Sequence, residues 1–326
     1  FGSARVLAAP RAGDKQFGPS PTRRARILAQ DGGLEHLTPN STATAPDPMT
    51  EATLRDTILR IGEDARASAV AVAVYDFEHH TTWSINPARW FHAASTIKVP
   101  VLLGVYDAIE QHRFDPISRV HVRNRFISVV DGRPYRVPRS SDANAEVQAA
   151  IGRMLTVHEL AEHMIVTSSN LATNLLLDLV GIEAARASLA RLHVSGIDLR
   201  RGVEDESAWE AGINNRVTAA GLCETLRLVE EGKAISADAS KAMLDILHQQ
   251  RFRSGIPAGL PEDARVAHKT GEISTVAHDA GIVYLDGRDA YVVVILTEWA
   301  PDVNARQETI ARISRAVYEY MTGNRN

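Results

Sequence analysis

The 326-residue chain has a single cysteine, Cys223. That excludes an intrachain disulfide framework and any zinc or iron–sulfur site built from several thiolates. No run of about 18 or more apolar residues occurs, so no membrane-spanning helix is expected. Lysine is scarce: Lys15, Lys98, Lys233, Lys241 and Lys269 stand among 36 basic residues, and the other 31 are arginine. With 40 acidic residues the formal net charge is −4, which argues against a dedicated nucleic-acid binder. What is present, 44% hydrophobic residues over this length, suits one large or two smaller domains with a sizeable core.

The first 48 residues differ from the rest. Pro10, Pro19, Pro21, Pro39, Pro46 and Pro48 punctuate a stretch of little periodicity that begins with a basic excess, so residues 1–48 are expected to be an extended or disordered tail. A first residue Phe1 is what removal of a leader, by processing or by choice of boundary, would leave, and Met49 is an alternative natural start.

From Met49 the pattern is regular. Thr53–Ala65 reads as a helix with Leu54, Ile58, Leu59 and Ile61 as its apolar stripe. Strands are expected at Ser68–Asp76, Thr81–Ile85, Arg265–Thr270, Ala280–Leu285 and Ala290–Thr297, the last two a hairpin across Asp286-Gly287-Arg288. A final helix is expected over Val303–Met321. Helical patterns fill the middle at Thr156–Val166, Leu171–Leu179, Ile182–Leu192, Ala219–Glu231 and Ala237–Gln250. The simplest assembly is an α/β (α+β) domain from residues 49–114 and 256–326, an antiparallel sheet with terminal helices, and an inserted all-helical domain over 115–255.

Three short motifs carry chemistry. In Ser95-Thr-Ile-Lys98 the serine and lysine share a face if a helix begins near Ser95. A serine hydroxyl is a weak nucleophile until a base takes its proton, and a desolvated lysine can serve. Pro100 counts against a regular helix there. Ser168-Ser169-Asn170, at the junction of two helical patterns, offers a second hydroxyl and a carboxamide, though such pairs are also ordinary caps. Lys269-Thr270-Gly271, on an expected strand, could bind a substrate carboxylate while the glycine admits substrate backbone. Each alone is weak evidence; in this order they are not.

The order S-x-x-K, S-x-N, K-T-G resembles that of the penicillin-recognising serine enzymes, specifically class A β-lactamases. The similarity runs from Met49 to the end of the chain and includes Met164–Leu177 as the second-motif helix. It implies a β-lactamase/transpeptidase-like fold, a five-stranded antiparallel sheet with helices on both faces plus an all-helical domain, and an active site between the two. It implies a serine hydrolase that opens β-lactam rings through an acyl-enzyme on Ser95, with Lys98, Ser168 and Glu204 catalytic. Asn170, Lys269, Thr270 and Gly271 would bind substrate, and the Glu272 backbone N–H would join that of Ser95 in the oxyanion hole. No cofactor or metal is implied. The partner would be a small β-lactam or peptidoglycan-like molecule, with no nucleic acid, the chain a monomer without a membrane span, and the location periplasmic or secreted, although the signal is not visible and a cytoplasmic location stays open.

Several positions depart from the family pattern. Ser169 stands where an aspartate is usual. In the loop Leu199–Asn215, Glu204 is the expected general base, with Glu206 and Glu210 as other candidates. The loop lacks the usual Arg-x-Glu-Pro-x-x-Asn run: Ala208 falls at the water-holding asparagine, leaving Asn214 or Asn215 as substitutes. Glu272 replaces a small residue, and its carboxylate could disfavour anionic substrates. His278 falls where relatives place a carboxylate-binding arginine, with Arg265 or Arg288 as alternatives. The stretch 119–145 is longer than usual and carries Arg119, Arg123, Arg125, Arg133, Arg136 and Arg139, either to gather anions or as a solvated loop. These departures keep open a D-alanyl-D-alanine peptidase or esterase that deacylates β-lactams poorly. His158 and His163 are five apart and do not match the zinc-helix spacing of four.

Overall fold

Strand Ala69–Asp76 (β1) is apolar at nearly every position, as a strand covered on both faces must be. It lies inside a sheet, paired antiparallel with Thr81–Ile85 (β2) on one side and Tyr291–Glu298 (β5) on the other. Arg265–Ile273 (β3) and Val276–Tyr284 (β4) complete an antiparallel five-stranded sheet in the order β3-β4-β5-β1-β2. These assignments come from a computed structural model that describes residues 49–300 and 306–323. The tail expected over 1–48 and the expected helix start at Val303 lie outside the described residues.

Side chains alternate across a strand, so the sheet feeds two cores. Val70, Val72, Val74, Val293 and Ile295 meet Leu54, Ile58 and Ile61 of Glu51–Asp64 (α1) and Ile310, Ile313 and Val317 of Arg306–Gly323 (α8). Thr50 caps α1 by accepting from the Thr53 N–H. Leu59, placed in the apolar stripe by its spacing, is instead 40% exposed, because it sits one residue beyond the arc that touches the sheet.

The other face, Ala71, Ala73, Val292, Val294 and Leu296, joins a larger core with Lys98–Glu110 (α2), Val157–Val166 (α3), Asn170–Val180 (α4), Ile182–Arg191 (α5), Ala219–Glu230 (α6) and Ala237–Leu247 (α7). Helix α2 is buried from Lys98 through Ala108, as a helix apolar all round should be. Gly104 lets α5 approach: a Cβ there would lie 2.8 Å from that of Ala185. Pro100 does not disturb α2, because it occupies the first turn, where an N–H has no intrahelical partner to lose.

Two expectations change. Strand β3 runs on to Ile273 and β4 begins at Val276, so Gly271–Asp279 is a tight hairpin and not a connecting loop. The stretch 115–255 is not wholly helical: Arg119–His121 pairs with Met154–Thr156, and Phe126–Ile127 with Pro134–Tyr135. Its helices share one continuous buried cluster with the sheet, α6 lying against β1 and β5.

Candidate active site

A short 3₁₀ turn, Ala94–Ile97, hands the chain into α2 at Lys98 and brings Lys98 Nζ to 3.0 Å from Ser95 Oγ. Between α3 and α4 the chain turns sharply, with Ser168 in the left-handed region at φ 59°. This aims both oxygens of Ser168 at the same amine: Lys98 Nζ donates to Ser168 O at 2.7 Å and lies 3.0 Å from Ser168 Oγ. It also donates to Asn170 Oδ1 at 2.7 Å. Lys98 is fully buried, and its pKa is lowered well below the ordinary lysine value, first by burial and then by the charge of Lys269. As a neutral amine, Lys98 can donate to the Ser168 carbonyl and Asn170 while its lone pair receives the Ser95 hydroxyl proton.

Asn170 links this cluster to Glu204. Its Nδ2 donates to Glu204 Oε1 at 3.0 Å and to the Ser141 carbonyl at 2.7 Å. Glu204 is half-buried with φ 60°, and burial raises its pKa, opposed by a hydrogen bond from the Ser141 side chain and by the charge of Lys98. Glu206 and Glu210 lie exposed on the short helix Glu206–Glu210, which removes them as alternatives. Both candidate asparagines are engaged with Arg200 and Arg201. Asn215 closes the neck of the loop, accepting from the Arg200 and Arg201 N–H groups at 2.7 and 3.0 Å, and Asn214 accepts from the Arg201 guanidinium. Ala208 is buried, its N–H capped by Asp205.

Strand β3 forms the opposite wall. A Cβ on Gly271 would lie 3.0 Å from Ser95 N and 2.9 Å from Thr96 N, so glycine is what lets the strand lie against these amides. Lys269 is buried and donates to the Thr270 carbonyl at 2.8 Å. Burial lowers its pKa to about 7, against the opposing charge of Asp279. Ser95, Ser141, Ser168, Asn170, Thr270, Gly271 and Glu272 line a cleft of about 300 Å³. Glu272 is the one charged side chain on that lining, and Gln307 Nε2 donates to its carboxylate at 2.6 Å. A larger groove of about 470 Å³ between α1 and α8 contains none of the motif residues.

His278 departs from its expected role. It is fully buried, packs edge-on against Phe91, and places Nε2 2.9 Å from the His92 carbonyl, so it braces the strand Phe91–His92 and does not reach the cleft. Burial lowers its pKa to about 4, which keeps it neutral and unsuited to holding a carboxylate. Arg288 is engaged with Asp76 and Glu78, and Arg265 lies over Tyr284. Asp76, Glu78 and His79 come together, and the Arg288 guanidinium pairs with both carboxylates. None of the arginines of 119–139 lines the cleft; Arg123 pairs with Asp178 and Arg133 with Asp131.

One residue that sequence reasoning missed is Asp142. Its Oδ1 accepts from Asn170 N at 3.1 Å and its Oδ2 from Leu171 N at 3.1 Å and Ser169 Oγ at 3.3 Å. A carboxylate from 29 residues upstream thus caps α4 beside the second motif. The signal was the missing aspartate at Ser169, but nothing local to Asp142 marks it as the replacement.

An antiparallel sheet flanked by helices, with a buried lysine between two serines, defines the β-lactamase/transpeptidase-like class of fold. The sequence pattern of the Beta-lactamase enzyme family matches residues 52–321. A β-lactamase of Bacteroides uniformis is 30% identical over 183 residues, covering 51% of this chain and 60% of that relative. The structure of PBP-A superposes with a TM-score of 0.72 at 23% identity, covering 85% of this chain and 99% of that one. A mutant class A β-lactamase of the last common ancestor of Gram-negative bacteria gives 0.67 at 25% identity, covering 82% and 98%. The chain belongs to the β-lactamase enzyme family.

Asp142→Ala would leave two helix N-terminal amides without their acceptor. Chemical denaturation should show about 1–3 kcal/mol less stability than wild type. An unchanged midpoint would mean that the cap contributes nothing.

Proposed function

We propose that the protein is a class A serine β-lactamase whose nucleophile is Ser95. The observation that carries this reading is the unbroken chain of contacts from Ser95 through Lys98 and Asn170 to Glu204. Lys98 takes the Ser95 proton as Oγ attacks the β-lactam carbonyl. The N–H groups of Ser95 and Glu272 receive the oxyanion, the latter through backbone alone. The C–N bond then breaks, and the nitrogen takes a proton from Ser168, which Lys98 replenishes. Lys98 is the group placed to do this, because its Nζ lies 3.0 Å from the Ser168 hydroxyl. Glu204 next removes a proton from water as it attacks the acyl ester, and Ser95 recovers its proton as the C–O bond breaks. Thr270, on the cleft lining, holds the substrate carboxylate, and the buried Lys269 behind it supplies positive charge. Both ends of the Asn170 carboxamide are engaged within the site, so Asn170 serves to couple Lys98 to Glu204.

Glu204→Gln keeps the shape and removes the base. With a chromogenic cephalosporin its turnover should fall by about 10²-fold or more, and mass spectrometry should show an acyl adduct on Ser95. Unchanged turnover would refute the role of Glu204, and a stable adduct on the wild-type enzyme would point to a penicillin-binding peptidase.

The Lys269 ammonium is present below its lowered pKa of about 7 and lost above it. KM for an anionic β-lactam should therefore be flat at lower pH and rise as pH climbs through about 7 to 9. A KM that stays level across this window would remove Lys269 from carboxylate binding.

A further inference from the structure

The stretch 119–144 does not bring its arginines to the cleft; it brings a hairpin to the back of the loop that carries Glu204. Tyr135 Oη accepts from Asn174 Nδ2 at 3.3 Å. Asn174 in turn grips Val203 on both sides, accepting from Val203 N at 2.8 Å and donating to Val203 O at 2.8 Å. The phenol lies so close over Gly202 that a Cβ there would sit 2.2 Å from Oη. On the other side of Glu204, Asp205 is 1% exposed, and its Oδ2 accepts from Val129 N of the hairpin turn at 3.2 Å. Its Oδ1 caps Ala208 N at 3.2 Å.

Both neighbours of Glu204 are therefore tied down, Val203 through Asn174 under Tyr135 and Asp205 directly to Val129. Glu204 itself holds a left-handed backbone at φ 60°, a conformation that a non-glycine residue keeps only where its surroundings over-determine it. The loop has no proline after Glu204 to restrict it, since Asp205 stands there. We propose that the hairpin Phe126–Tyr135 is the positioning element for Glu204, acting through Tyr135 and Asp205. This rests on the reading of Glu204 as the deacylating base. Tyr135 and Asp205 are positioning residues: Tyr135 acts on the Glu204 loop through Asn174, and Asp205 ties that loop to Val129, so their loss should affect the second half-reaction.

Tyr135→Phe keeps the ring and deletes only the hydroxyl; Asp205→Asn keeps the shape and weakens the grip on Val129. For each, acylation and deacylation are timed separately by quenched-flow mass spectrometry with a chromogenic cephalosporin. Deacylation should slow about tenfold or more, while acylation stays within about twofold, and the acidic limb of the kcat profile should shift. Hydrogen exchange over Leu199–Asn215 should quicken, with exchange in the sheet unchanged. Unchanged deacylation and exchange in both variants would overturn the proposal, as would equal losses in both half-reactions together with a lower melting temperature. If the wild-type enzyme forms an adduct and never releases it, the β-lactamase reading fails. The exchange measurement then decides alone: unchanged loop exchange overturns the hairpin's role, and faster exchange confined to the loop supports it.

Discussion

The buried amine of Lys98 is the constraint from which the site follows. An ammonium in that position would have to be taken fully out of water, which is costly unless opposite charges compensate. Asp142 and Glu204 favour the charged form, but burial and the second buried lysine, Lys269, outweigh them. The result is an amine that can accept a proton, set between two serine hydroxyls and a carboxamide. Arginine could not replace it, because a guanidinium effectively never gives up its proton.

The fold supplies the burial. Lys98 begins a helix enclosed on every side, and the strand carrying Lys269 is pressed against the 3₁₀ turn that precedes it, an approach that Gly271 permits. The left-handed turn at Ser168 and the cap supplied by Asp142 fix the third wall. Each wall comes from a distant part of the chain, so the two lysines approach each other only when the sheet and the helical stretch have packed into one core. Folding stability is therefore spent on holding two like-charged residue types in a dry site.

The fold was largely legible in the sequence where periodicity is strong: the five strands and the long helices fall within a few residues of their expected places. The β3–β4 hairpin was not, because the expected strands stop at Thr270 and begin at Ala280, and only the pairing of the residues between them extends both into a hairpin. Within the site, the motif residues Ser95, Lys98, Ser168 and Asn170 come together, and Glu204 joins them. His278 was misread because register alone cannot tell which strand residue meets the cleft and which meets Phe91. Asp142, Ser141 and Tyr135 were invisible because their partners are 29 to 39 residues away and no local pattern announces a loop that folds back.

The scarcity of lysine makes the central claim directly measurable. Only five lysines exist, so carbon-13 labelling of lysine side chains and NMR titration can resolve each, with Lys98→Met assigning the signal. Lys98 should titrate well below the ordinary lysine value of 10.5. A Lys98 resonance that titrates near 10.5, as an exposed lysine would, contradicts the account.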